Sequence, residues 1–464
     1  MRAILTFVLV LAVASAAAQT TYLTFDDALT LGLERNPAVT ASEYAERAAH
    51  RERQAAIGLF LPKVSVRGAY AHLNKDVKID LNHLKVQASG LLAPSLPQIE
   101  NLLSPLLAMD LSYTLQSKNT AFLGGDVVMP LFTGGKILAA NRAAKIEEER
   151  ASDQSRAVRG ALVVELVERY FGVELARRGV AIRNEAIAVV EQHLRDVTLL
   201  EREGMAVESE RLYAEYRLAE AEGDLRQAEL QLATAQRALQ TSLASEGDIA
   251  PTTPLFLLFS IEPLDYFQSM ATLHNPQLAE VEHLRELSRQ NMRVERAELM
   301  PEVVAMAGAI FCDHRLSSLA PRMAVGVGLN FRIFDGLRSE FRYSAARLQQ
   351  RRVEHLEVKA QNDVALLVES LYRTLQESMS ALPAVRRSES FAEEYLRAKR
   401  RAFSEGMATT TDVVDAALNL SQARLQRIRT AYEMDVALAR LLDASGIAER
   451  FLLYLRSSTS ESVF

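Results

Sequence analysis

Met323-Ala324-Val325-Gly326-Val327-Gly328-Leu329-Asn330-Phe331-Arg332-Ile333 alternates without a slip. In an extended chain, successive side chains point to opposite faces. Met323, Val325, Val327, Leu329, Phe331 and Ile333 therefore share one face, and Ala324, Gly326, Gly328, Asn330 and Arg332 share the other. An apolar face backed by a small or polar one suits a strand with lipid outside and a wet lumen inside. It would also suit a half-buried strand of a soluble sheet.

Just beyond this stretch the period changes from two to about 3.5. Val368, Leu375, Leu382 and Leu396 fall seven or fourteen residues apart, with Glu389 breaking the series. The same seam occurs earlier as Leu166, Val173, Val180, Ile187 and Leu194, inside a stretch without proline from Leu131 to Ala250. Sustained heptads mean helices packed along one another. A helix from Lys136 to Arg202 would run about 100 Å at 1.5 Å per residue, far more than a compact domain needs. Pro383 lies inside the second long helix and should kink it.

The recurrence is general. Asn36-Pro37 returns as Asn275-Pro276 and Pro62 as Pro301, each 239 residues on. Phe132, Gly134 and Tyr170 return as Phe334, Gly336 and Tyr372, and Glu203-Gly204-Met205-Ala206 as Glu405-Gly406-Met407-Ala408, each 202 residues on. The chain is thus a duplication whose first copy carries an insertion of 37 residues. The first copy occupies 19–250, with strands near 63–72 and 119–131 and long helices at 136–202 and 207–245. The second occupies 251–446, with strands near 302–311 and 322–334 and long helices at 337–405 and 409–443; a tail fills 447–464. In each copy, Asn-Pro reads as an N-cap followed by proline at the first helical position. The insertion, about 73–118, joins two strands at the end away from the helices, so an extracellular loop is expected.

Four strands with an apolar face cannot close a spanning barrel, since the smallest have about eight. Edges left open in lipid would strand backbone groups without partners, so at least two chains must share one barrel. Arg2, the apolar run Ala3–Val13 and the small residues Ala14–Ala18 have the layout of a secretory signal peptide over 1–18. A net charge of -6 argues against nucleic acid as a partner. Cys312 is the sole cysteine, so an intrachain disulfide is impossible.

At the residue level the chain resembles the TolC-type outer-membrane efflux family. Leu23-Thr24-Phe25-Asp26-Asp27-Ala28 with Asn36-Pro37 is similar to the family's opening, and Pro130-Leu131-Phe132-Thr133-Gly134-Gly135 to its strand-to-helix junction. The most specific stretch is Glu405-Gly406-Met407-Ala408-Thr409-Thr410-Thr411-Asp412-Val413-Val414-Asp415-Ala416, which resembles the turn-and-entrance motif. The resemblance implies a mainly α fold with a β-barrel part: a homotrimer sharing a twelve-stranded barrel, continued by an α-helical coiled-coil tunnel across the periplasm. The implied function is an outer-membrane duct of a tripartite efflux or type I secretion system. Its partners would be outer-membrane lipid, a periplasmic adaptor and an inner-membrane pump. Carried over by position, Gly204-Met205 and Gly406-Met407 would be adaptor-docking tips, and Asp412 and Asp415 acidic rings at the pore entrance. The usual Val-Gly-Leu tip reads Glu-Gly-Met here, and Ala408 stands where the best-known members have a latching Arg. Asp412 and Asp415 could equally be solvated helix surface.

Nothing points to catalysis, a cofactor or a metal. Thr133-Gly134-Gly135-Lys136 is followed by Ile137, where a phosphate loop needs Ser or Thr. The eight histidines form no ligand pair, and His193 and His355 read as solvated helix surface. The reading from another class is a soluble periplasmic coiled-coil scaffold, against which the apolar strand face argues.

Overall fold

The computed structural model describes residues 21–85, 87, 108–245, 247–317 and 321–457. The expected signal peptide, the apolar part of the insertion and the end of the tail lie outside the described residues. In chain order the elements are β1 (Thr21–Leu23), α1 (Phe25–Arg35), α2 (Pro37–Ile57), β2 (Lys63–His72), β3 (Val77–Asp80), β4 (Ser112–Gln116) and β5 (Asn119–Phe132). Then follow α3 (Lys136–Arg202), α4 (Glu208–Ser242), β6 (Ile249–Pro251), α5 (Leu264–His274), α6 (Pro276–Ala297), β7 (Glu302–His314) and β8 (Met323–Asn330). The chain closes with α7 (Arg338–Ser404), α8 (Thr410–Ala444) and α9 (Phe451–Ser457).

The duplication is visible in atomic detail. The Asn36 side chain accepts from Ala38 N at 2.8 Å and donates to Ser242 O at 3.1 Å. Asn275 accepts from Gln277 N at 2.9 Å and donates to Ala444 O at 2.7 Å. Each asparagine thus caps one helix and fastens the end of the returning helix of its own copy, which is why both are buried. The long helices α3 and α7 have 67 residues each, and the returning helices α4 and α8 have 35 each. Helix α7 runs through Pro383 without a break. Glu389, the gap in the heptad seam, is half-buried and pairs with Arg427 at 2.8 Å.

Two compact units form, and they cut across the two copies. Of the described residues, one takes those within 51–145 and 287–350, the other those within 21–50, 146–286 and 351–457. The reason lies in the strands: each copy offers a single long pair, and that pair completes its ladder only with the other copy.

In the first unit, β2-β5-β7-β8 form one antiparallel sheet in which β5 pairs with β7 across the copies. Strand β8 stops at Asn330, short of the expected 334, because its ladder partner begins at Glu302. The residue before that is Pro301, which has no N–H to offer. Register puts Val64, Val127, Ala307 and Val325 in one row on one face, and Ser65, Asp126, Gly308 and Ala324 in the adjacent row on the other. On the apolar face Val64, Val66, Val325, Val327 and Leu329 are exposed. On the opposite face Arg67 donates to Asp126 at 2.8 Å. Strands β2 and β8 are the open edges. The described part of the insertion adds an antiparallel pair, β3–β4, which the alternation alone had not marked.

The other unit holds the helical core. Phe25, Tyr170, Phe171, Phe256 and Phe451 meet with centroids 5.3–6.3 Å apart. Tyr170 Oη donates to Leu23 O at 2.7 Å and accepts from Thr252 N and Thr253 N at 3.0 and 2.8 Å. It thereby fixes the short parallel pair β1–β6, a contact between residues 21–23 and 249–251 that has no strand-length signal in the sequence. No helix among the described residues is long and apolar enough to cross a membrane.

Candidate functional site

Both long helices end in the same turn. Gly204 and Gly406 have φ of 73° and 72°, a conformation that a Cβ makes costly. Met205 N donates to Leu200 O and Met407 N to Ala402 O, each at 2.8 Å, closing the six-residue ring that terminates a helix at a left-handed residue. The turn leaves Met205 and Met407 about three-quarters exposed, at 70% and 72%. Two apolar side chains thus stand in solvent at the ends of two rigid hairpins.

The hairpins differ in how their second helix starts. Helix α8 has a complete capping box: Thr409 Oγ1 accepts from Asp412 N at 3.3 Å, and the Asp412 carboxylate accepts from Thr409 N at 3.0 Å. Lys399 of α7 donates to the same carboxylate at 2.7 Å. That ammonium, with the Thr409 N–H and hydroxyl both donating to the carboxylate, lowers the Asp412 pKa to about 2. The N-cap of helix α4 is Val207, which makes no capping side-chain hydrogen bond. There the hairpin is clasped instead by Arg211, 2.8 Å from Glu201 on α3 and 2.6 Å from Glu215 on α4.

Asp415 faces α4. Tyr213 Oη donates to it at 2.8 Å, and Arg217 lies 3.5 Å away. Burial and the neighbouring carboxylate together raise the tyrosine pKa. Within 406–416 the sequence contains no counter-charge, yet each aspartate has one, supplied by Lys399 from α7 and Arg217 from α4. Ala408 carries no cation, but Arg217 brings one to this end of the molecule from the other hairpin. Lys399, Tyr213 and Arg217 escaped the sequence reading. One signal could have found Tyr213: it stands 202 residues before Asp415, the repeat offset, so the two occupy one position of the two copies.

His193 is a correction. It is 6% exposed, with its ring 4.5 Å from that of Phe403 across the α3–α7 seam. Phe403 in turn packs against a cluster that includes Val190, Leu396 and Val413 on α3, α7 and α8. His355 is exposed. Among the described residues no group of three or more His, Cys, Asp or Glu is placed to hold a metal.

Residues 268–447, nearly the whole second copy, match the family described as outer membrane efflux protein. The alkaline protease secretion protein AprF of Pseudomonas aeruginosa is 23% identical over 319 residues. That match spans 66% of this chain and 65% of AprF, so just under two thirds of the relative is covered. Among solved structures, CusC superposes with a TM-score of 0.74 at 16% identity, covering 93% of this chain and 94% of its own. The outer membrane protein VceC of Vibrio cholerae superposes with a TM-score of 0.71 at 14% identity, covering 91% of this chain and 96% of its own. The sequence match falls on the second copy, and the fold match covers nearly all of the chain.

Proposed function

We propose that the chain is the outer-membrane channel subunit of a tripartite efflux or type I secretion system, a passive export duct that works as a homotrimer. The observation that carries this reading is the four-stranded sheet, apolar and exposed on one face, polar and small on the other, and open at both edges. Such a sheet suits lipid on one side and water on the other once further copies supply the missing strands. Gly204-Met205 and Gly406-Met407 are the docking tips for a periplasmic adaptor beneath an inner-membrane pump. Asp412 and Asp415 line the entrance, held by Lys399 on one side and by Tyr213 and Arg217 on the other.

The test is direct. Protein extracted from outer membranes in mild detergent should conduct ions in planar bilayers and bring down an adaptor and a pump. A chain that stays soluble without detergent and conducts nothing would be a scaffold instead. AprF is named for secretion of a protease, so a protein cargo is the second reading. Identification of a pump with an ATP-hydrolysing domain in the pull-down would favour it.

A further inference from the structure

His193 sits where a charge is least welcome. Its Nε2 is buried and has no hydrogen-bond partner, and its ring packs edge-on against Phe403, three residues before Gly406. The nearby charges give a proton little help. Asp196, one turn on along α3, already accepts from Gln192 at 2.9 Å, and Arg400 faces the ring from α7 with its own positive charge. On α8, Asp412 is taken by Lys399; between α8 and α4, Asp415 is taken by Tyr213 and Arg217. An imidazolium here would lose its hydration, meet a like charge and find no free carboxylate.

We propose that His193 is a proton-operated release for the packing of α3 on α7 behind the two hairpin ends. Neutral, the ring fills the seam against Phe403. Protonated, it is driven toward water, and the two long helices part just where the hairpins turn. The sign follows from linkage. Burial, the largest cause, together with Arg400 outweighs the opposing pull of Asp196 and holds the imidazole pKa below its usual value in the packed state. The parted state, where the ring meets water, has the ordinary value near 6.5. As pH falls below that, the parted state binds the proton first, and each further pH unit favours it by up to about tenfold until the packed state also titrates. The periplasmic side of such a duct would then loosen in acid. That consequence rests on the channel reading, whereas the helix movement does not.

The test uses the full chain in detergent with Cys312→Ser as background. Spin labels at the exposed positions Leu199 and Arg401, one on each helix, report the α3–α7 separation by pulsed electron–electron resonance at pH 7.5 and 5.0. The wild-type distance distribution should broaden to longer values at pH 5.0 and return at pH 7.5. His193→Phe, which fills the seam and cannot titrate, should hold the pH 7.5 distribution at both values; His193→Gln should do the same if the Phe variant fails to assemble. Identical wild-type distributions at the two pH values would overturn the proposal, as would a non-titrating variant that broadens like wild type. Because no export or conductance is measured, a failure here leaves the channel reading standing.

Discussion

Asp435 of α8 is fully buried, and its carboxylate accepts a single long hydrogen bond, 3.4 Å, from Phe256 N. Its other oxygen has no partner, and desolvation raises its pKa well above the usual value. In the unfolded chain the group ionises near 3.9. Above that pH the native state holds a proton that the unfolded state has shed, so stability falls as pH rises. Asp435→Asn should therefore melt close to wild type at pH 4 and above it at pH 8; equal midpoints at pH 8 would show that the buried group costs nothing. Asp412 behaves in the opposite way. With its pKa near 2, its clasp on Lys399 and Thr409 is present at neutral pH and is lost only as pH falls from about 4 through 2. As proposed entrance residues, the two aspartates also bear on selectivity. Because each has a cation beside it, removing both leaves Lys399 without its carboxylate and Arg217 with Glu220 alone, so the local charge turns positive rather than neutral. Replacing Asp412 and Asp415 by Ala should shift bilayer currents toward anions and weaken block by multivalent cations, most clearly at low salt. Unchanged selectivity would place both side chains away from the pore. The aspartates themselves were legible as short carboxylates at helical spacing. Their partners were not, because Lys399 and Arg217 are brought in by packing between helices that sequence periodicity does not orient.

At the scale of elements, the helical hairpins were the most legible part of the chain, since a heptad seam sustained over about eight turns admits one secondary structure. Strand β8 declared itself by strict alternation. The short pairs β1–β6 and β3–β4 did not, because runs of three to five residues carry too little periodicity and their partners are remote. The tips allow a clean test. A Cβ built on Gly204 or Gly406 meets nothing within 4 Å, so any substitution there acts through backbone strain alone. Valine at a φ above +70° costs on the order of 1–3 kcal/mol per site. Replacing both glycines by Val should abolish export while leaving the helical content, the membrane location and the oligomer unchanged. Export at wild-type level in that double variant would mean that the tips are not the docking site.

For the molecule as a whole, the governing fact is the sheet with two open edges, β2 and β8. An edge facing lipid leaves a row of N–H and C=O groups unsatisfied, each costing several kcal/mol, so β8 of one copy must pair with β2 of the next. Head-to-tail pairing of this kind closes into a ring or runs on as a filament. Four strands per chain make eight strands with two copies and twelve with three, and the channel proposed above has three. A crosslinking ladder separates these outcomes. With Cys312 replaced by Ser, one cysteine is scanned along Lys63–His72 and a second along Met323–Asn330. At the matching register, oxidation should give monomer, dimer and trimer bands on a denaturing gel, and nothing larger. A ladder that stops at the dimer would mean an eight-stranded ring. One that continues past the trimer would mean that the edges do not close. If no register crosslinks at all, β2 and β8 are not neighbours in the assembly, and the argument from open edges to a shared barrel fails with it.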